Sequence, residues 1–227
     1  VCHNCRTLFC YLLLMASVRH RTPSIEIENS VVEAALRLLA DDGPAALTVR
    51  GLAAEAGIAP MGIYNHFGDK SGVIDIVFRR GFEELTRSVS IGLDIADPIE
   101  GLRSGLLAYR RFALEHRTTY AVMFLREVPN FTPTVQSLVV AADSFAVLIR
   151  CVERAMHTGA LRRGDARKIA QQLWAATHGA VALELVDMCL VDDMSDMYDS
   201  LINTLLNGLQ PFSGVAAAPG ARRARAR

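Results

Sequence analysis

The spacing of the apolar residues constrains this chain most. From Ser24 to Leu209 they recur at intervals of three and four, and no stretch sustains an apolar/polar alternation among strand formers. Side chains at that spacing share one face of a helix, whereas a half-buried strand needs a period of two. Ile27, Val31, Val32, Ala35, Leu36 and Leu39 mark a first helix that starts on Ser24 as N-cap and that Gly43-Pro44 ends. Leu52, Ala53 and Ala56 mark a second, stopped at Gly57, and Pro60 opens a third carrying Ile63, Tyr64 and Phe67. Asp69 caps a fourth, whose stripe is Val73, Ile74, Val77, Phe78, Phe82 and Leu85. Beyond Asp97-Pro98 the pattern lengthens into helices over 99–116, 119–126, 135–158, 165–190 and 195–209. The chain is predicted to be all-α, four short helices followed by about five longer ones, with no internal repeat.

Composition narrows the function classes. Of the 227 residues 51% are hydrophobic and 21% charged, which suits a folded, mainly helical protein. Lys and Arg number 24, as do Asp and Glu, so any claim of a nucleic-acid partner must rest on a local motif. Cys2, Cys5, Cys10, Cys151 and Cys189 are odd in number, which is no disulfide framework and fits a cytoplasmic setting. Cys2-x-x-Cys5 is half a zinc site with no second pair at suitable spacing, so neither metal nor cofactor is expected. The apolar run from Leu8 to Met15 is far shorter than the roughly 18 residues of a membrane span, and no membrane is expected as a partner. Residues 1–23 read as a leader or arm, Met15 being the expected true start and residues 1–14 a mis-set translation start. Residues 213–227, rich in Ala, Gly and Arg, read as a disordered basic tail.

From Thr48 to Phe67 the sequence reads as two helices meeting at a sharp angle. Ala53 is small where the backbones come closest, and Gly57 can take the positive φ that turns the chain. Ile58 and Ile63 fill the wedge, and Pro60 is preset for a first helical turn. This is the geometry of a helix-turn-helix, whose second helix enters the major groove with its N-terminal residues near base edges.

The residues Val31-Val32-Glu33-Ala34-Ala35-Leu36, Gly43, Leu47-Thr48-Val49-Arg50, Leu52-Ala53, Ala56-Gly57-Ile58, Ile63-Tyr64-Asn65-His66-Phe67 and Asp69-Lys70 closely resemble the DNA-binding domain of the tetracycline-repressor (TetR) family. The resemblance covers residues 24–85. It implies that Thr48, Tyr64, His66 and Lys70 hold phosphates, and that Arg50 reaches a guanine edge or a phosphate. It also implies that Pro60, Met61 and Gly62 face bases, Met61 against a thymine methyl, and that Asn65 meets a phosphate or an adenine. Two features depart from the family's usual pattern. Ala59 stands where a capping Ser or Thr is common, and Glu26 and Glu28 occupy a region that is usually basic, which Arg19, His20 and Arg21 could offset as an arm.

The remainder, 86–212, resembles the family's ligand-binding and dimerisation domain in architecture, and Trp174-Ala-Ala-Thr-His178-Gly179 looks like a Trp-His-Gly pattern of one subgroup. The resemblance implies a homodimer paired through the last two helices, a double-stranded DNA operator that is palindromic, and a small-molecule effector that releases a repressor. Phe82, Tyr109, Phe112, Met123, Phe124, Met156, Trp174 and His178 are the expected lining of an apolar pocket. An enzyme is not expected, because no nucleophile-base signature or phosphate loop accompanies His157, His178, Cys151 and Cys189. The alternative is a helical partner-binding protein without DNA function, favoured by the neutral charge and the missing cap at Ala59.

Overall fold

The computed structural model describes residues 24–125 and 128–211. The leader and the basic tail expected from the sequence lie outside them. Ten α-helices account for most of the described residues: α1 (Ser24–Asp42), α2 (Val49–Glu55), α3 (Pro60–Phe67), α4 (Lys70–Val89), α5 (Ile91–Asp94), α6 (Pro98–Glu115), α7 (Arg117–Phe124), α8 (Val135–His157), α9 (Ala166–Leu185) and α10 (Met194–Leu209). A short 3-10 turn, Pro44–Ala46, follows α1, and no strand occurs among the described residues. The described residues form two compact units that divide between Val73 and Ile74, inside α4.

In the first unit, α1 buries Val31, Val32, Ala34, Ala35 and Leu39, with Leu47, Leu52, Ala53 and Ile63 completing the core. Two side chains fix α1 to the next helix: Ser30 donates to the Ala56 carbonyl at 3.0 Å, and Arg37 pairs with Glu55 at 2.6 Å. Thr48 caps α2, its hydroxyl accepting from the Gly51 amide at 2.9 Å. A Cβ on Gly51 would stand 2.7 Å from the Ala46 carbonyl oxygen, so the approach of the 3-10 turn to α2 requires glycine there.

The second unit is arranged around α6, which packs against α5, α7, α8, α9 and α10. Tyr198 of α10 donates to the Leu106 carbonyl at 3.0 Å, and Arg110 of α6 makes two bonds, 2.8 and 2.6 Å, to Glu184 of α9. Asp75 of α4 accepts from the Thr134 amide and hydroxyl and from the Ser137 hydroxyl, holding the start of α8. Helix α5 was not anticipated from the apolar pattern. It exists because Gly92 lets it close on Gly101 of α6, and because Arg154 of α8 donates to the Leu93 and Ile95 carbonyls at its end. The helix expected over 165–190 stops at Leu185. Asp187 takes φ 54, with Met188 N donating to Leu183 O and Asp187 N to Glu184 O, a Schellman closure that ends the helix before the apolar run does. Helix α8 is long and apolar enough to cross a membrane by length and composition alone, but Val147, Cys151, Val152 and Ala155 are buried within the second unit.

Candidate functional site

The turn between α2 and α3 shows how the sequence forms the motif. Gly57 takes φ 69, Ile58 N donates to Ala53 O at 2.9 Å and Gly57 N to Ala54 O at 3.2 Å, so α2 ends in a Schellman closure. The chain then enters α3 through Pro60 with no side-chain cap, since Ala59 has no oxygen to offer. Ile63 is fully buried on the inner face. On the opposite arc Pro60, Met61, Tyr64 and Asn65 are exposed, Met61 by 64% and Tyr64 by 52%. His66 is exposed beside the start of α1, with Ser24 Oγ 3.5 Å from its Nδ1. Asp69 accepts from the Gly72 amide at 3.0 Å and sets the first turn of α4, which begins at the exposed Lys70.

Gly62, expected to face bases, directs its Cβ position at Ile58, 3.2 Å from Cδ1, because it lies one residue past the outward arc of the helix. Its lack of a side chain serves the packing of α3 on the turn. Charge adds a second point. From 24 to 73 the chain carries Glu26, Glu28, Glu33, Asp41, Asp42, Glu55 and Asp69 against Arg37, Arg50 and Lys70. Arg37 pairs with Glu33 and Glu55, whereas Arg50 and Lys70 are exposed.

Within the second unit lies a cavity of about 240 Å³. Helix α4 contributes Phe82, Leu85 and Val89, α6 contributes Leu102, Gly105, Leu106 and Tyr109, and α7 contributes Phe124. The far wall is α8, with Ser144, Phe145, Leu148 and Cys151 among others, and α9 closes it with Gln171, Trp174 and Thr177. Of the eight residues expected to line a pocket, Phe82, Tyr109, Phe124 and Trp174 do so. Phe112, Met123 and Met156 do not. Phe112 is buried against the His116 ring at 5.0 Å, and Met123 is the side chain that a Cβ on Gly81 would strike. Met156 sits on the last turn of α8 beside a separate shallow hollow with Thr158 and Arg162. Phe112 and Met123 are buried away from the cavity and Met156 is half-buried at the end of α8, a difference that apolar character alone does not show.

His178 stands behind the cavity wall. Its Nδ1 lies 2.7 Å from Tyr120 Oη and 2.9 Å from Tyr109 Oη, the two hydroxyls are 2.8 Å apart, and Trp174 Nε1 donates to Tyr109 Oη at 3.2 Å. Phe124 packs against the rings of Tyr120 and His178 at 4.8 and 5.4 Å. Burial lowers the His178 pKa from its ordinary 6.5, pushes Tyr109 up to about 12 and raises Tyr120 further. All three are therefore neutral at pH 7. Burial also raises the Cys151 thiol. Tyr120, Ser144 and Thr177 escaped the sequence reading, since nothing in their spacing says that three separate helices converge; Trp174 and His178, four apart, were the one visible signal.

Two family models match the chain: bacterial regulatory proteins of the tetR family over residues 31–76, and the tetracyclin repressor-like C-terminal domain over 102–205. The HTH-type transcriptional regulator Rv1816 of Mycobacterium tuberculosis is 22% identical over 207 residues, 78% of this chain and 88% of that protein. The HTH-type transcriptional repressor KstR2 of Mycolicibacterium smegmatis is 31% identical over 109 residues, 48% of this chain and 53% of that protein. Among solved structures, a protein of unknown function from Rhodococcus sp. RHA1 superposes with a TM-score of 0.74 at 25% identity, covering 86% of this chain and all of that one. The fatty acid degradation regulator FadR from Bacillus halodurans gives 0.67 at 18% identity, over 79% of this chain and 94% of that one, and shares the fold. With a helix-turn-helix that presents Met61 and Tyr64 outward, and both halves matching one family, the chain belongs to the TetR family and is a DNA-binding transcriptional regulator.

Proposed function

We propose that this regulator is a cytoplasmic repressor that binds a palindromic operator as a homodimer and leaves it when a small apolar ligand fills the cavity of the second unit. The observation that carries this reading is the course of α4. The helix begins at Lys70, next to the recognition helix, and continues without a break to Phe82, Leu85 and Val89 in the cavity wall. A ligand that presses on those side chains tilts the same helix that carries Lys70. A preference of about 1–3 kcal/mol for the tilted state is enough to change operator occupancy severalfold or more.

In this reading Thr48, Tyr64, His66 and Lys70 hold phosphates, Arg50 and Asn65 reach a base edge or a phosphate, and Pro60 and Met61 lie against bases. For pairing through α9 and α10, support on the α9 side comes from an outward stripe of small and apolar residues, Ala175, Gly179, Leu183 and the C-cap Val186, with Leu183 49% exposed. No catalytic role is assigned to any residue.

Fluorescence polarisation of the full chain on DNA from its own upstream region, against a scrambled duplex, tests the reading. Specific binding is expected. Lys70→Ala should weaken both duplexes and lower the salt slope by about one per half-site, while Met61→Ala should alter sequence preference. Equal affinity for both duplexes would refute it.

A further inference from the structure

The DNA-binding unit has the wrong charge for its partner. From 24 to 73 it carries seven Asp and Glu against three Lys and Arg, a net charge of −4. One of those cations, Arg37, is held by Glu33 and Glu55. Affinity for a duplex grows with the number of phosphates that Lys and Arg neutralise, and Arg50 and Lys70 alone leave each half-site short of positive charge. The chain just before α1 has the opposite sign. Residues 1–23 contain Arg6, Arg19 and Arg21 and no Asp or Glu, and Arg19-His20-Arg21 stands nearest the fold.

These residues precede the described ones, and α1 fixes where they join. Ser24 opens α1 beside the recognition helix, its Oγ 3.5 Å from Nδ1 of His66 on the last turn of α3. Arg19 is five residues before Ser24, a reach of at most about 17 Å. The minor groove is about 6 Å wide, so that reach carries Arg19 from the end of α3 across the flanking phosphates. Side chains two apart in an extended chain project to the same side, which pairs Arg19 with Arg21 along a groove.

From this we infer that Arg19 and Arg21 form a second DNA-binding element, an arm that enters the minor groove flanking the major groove read by α3 and brings each half-site as many cations as Arg50 and Lys70 together. The inference rests on the operator-binding reading and adds to it a contact outside the helix-turn-helix. Guanidinium groups favour the narrow, strongly negative minor groove of A·T-rich steps. The arm therefore confers a preference for A·T pairs beyond the bases that α3 faces. Arg222 and Arg223 follow α10 of the second unit and carry the same charge at the other end of the chain.

The test follows fluorescence polarisation of the full chain from about 50 to 200 mM salt, the range over which phosphate contacts are read, on its upstream DNA and on a scrambled duplex. The parent is compared with Arg19→Ala/Arg21→Ala and with Arg222→Ala/Arg223→Ala. Each variant removes two positive charges, so the comparison separates place from net charge. Arg19→Ala/Arg21→Ala should lower the salt slope on both duplexes by about two per half-site, which makes its loss against the parent about tenfold smaller at the upper salt than at the lower. The tail variant should keep the parent's slope. With the upstream site flanked by A·T rather than G·C pairs, the parent should bind about fivefold or more tightly, and the arm variant should lose most of that preference. An unchanged slope in the arm variant, the same change in both variants, or a parent indifferent to the flanking pairs overturns the inference. Equal parent affinity for upstream and scrambled DNA would sink the operator reading instead, and the slopes on both duplexes still decide the arm.

Discussion

Replacing Gly92 with alanine tests whether α5 is held by a close backbone crossing. A Cβ there would stand 2.6 Å from the Gly101 carbonyl oxygen and 3.3 Å from Cys151 Sγ. Carbon contacts normally lie at about 3.5–4.0 Å, so the helices must part by about 1 Å, and a backbone oxygen cannot rotate aside. That movement also pulls the Leu93 and Ile95 carbonyls from Arg154, whose Nε is already buried without a partner. Overpacking costs about 1–3 kcal/mol, and weakening hydrogen bonds to a charged donor adds about 1–2 kcal/mol. With each kcal/mol worth about 2–4 °C in a protein of this size, Gly92→Ala should melt about 5–15 °C below the parent by scanning calorimetry. Gly101→Ala opens the same crossing from the other side, where its Cβ would overlap the Gly92 oxygen. The double variant should therefore lose less than the two single losses added together. Gly105→Ala, one turn along α6, places its Cβ 3.5 Å from Val89 O, an ordinary contact, and should melt within about 2 °C of the parent or above it. The reasoning is refuted if Gly92→Ala matches Gly105→Ala, or if the double variant is simply additive.

Three further outcomes follow from named contacts. Ala59→Ser supplies the oxygen that the N-terminus of α3 lacks, and should raise the urea midpoint by the equivalent of about 0.5–2 kcal/mol; an unchanged midpoint means the α3 amides already have partners. His178 has a folded pKa below its ordinary 6.5, so the unfolded chain takes up a proton that the folded chain refuses as pH falls. Its stabilising effect is complete above 6.5 and is lost as pH drops from there toward the folded value, so the midpoint should fall between pH 7.5 and 5.5 more steeply in the parent than in His178→Gln. Parallel pH profiles would exclude that role. Leu183→Arg puts a charge on the outward stripe of α9 and should convert dimer to monomer in sedimentation velocity while leaving the melting of the isolated fold intact; a persistent dimer would place the interface elsewhere.

The recognition motif was legible in sequence because its determinants are local. Gly57 supplies the positive φ, Pro60 the first turn, and Ile63 the inward face, each within a turn of the residues it serves. Asp69 likewise caps α4 through an amide three residues away. At Gly62 the limit of such a motif shows: one position along a helix rotates a side chain by about 100°, so a short motif fixes which residues share the turn better than which way each one faces.

Local spacing and steric permission, written in neighbouring residues, determined the all-helical class, the helix-turn-helix and its uncapped Ala59. Tertiary structure alone decided the rest. Helix α5 depends on Gly92 meeting Gly101 across a crossing, α9 ends where Asp187 can adopt φ 54, and the polar cluster behind the cavity wall is Tyr109, Tyr120, Trp174 and His178 drawn from three helices. Convergence of that kind is set by how helices cross in space, which no periodicity within one helix encodes. The physical reason is range: a cap or a turn is settled within about four residues, whereas Tyr120 and His178 are 58 apart in the chain and 2.7 Å apart in the fold.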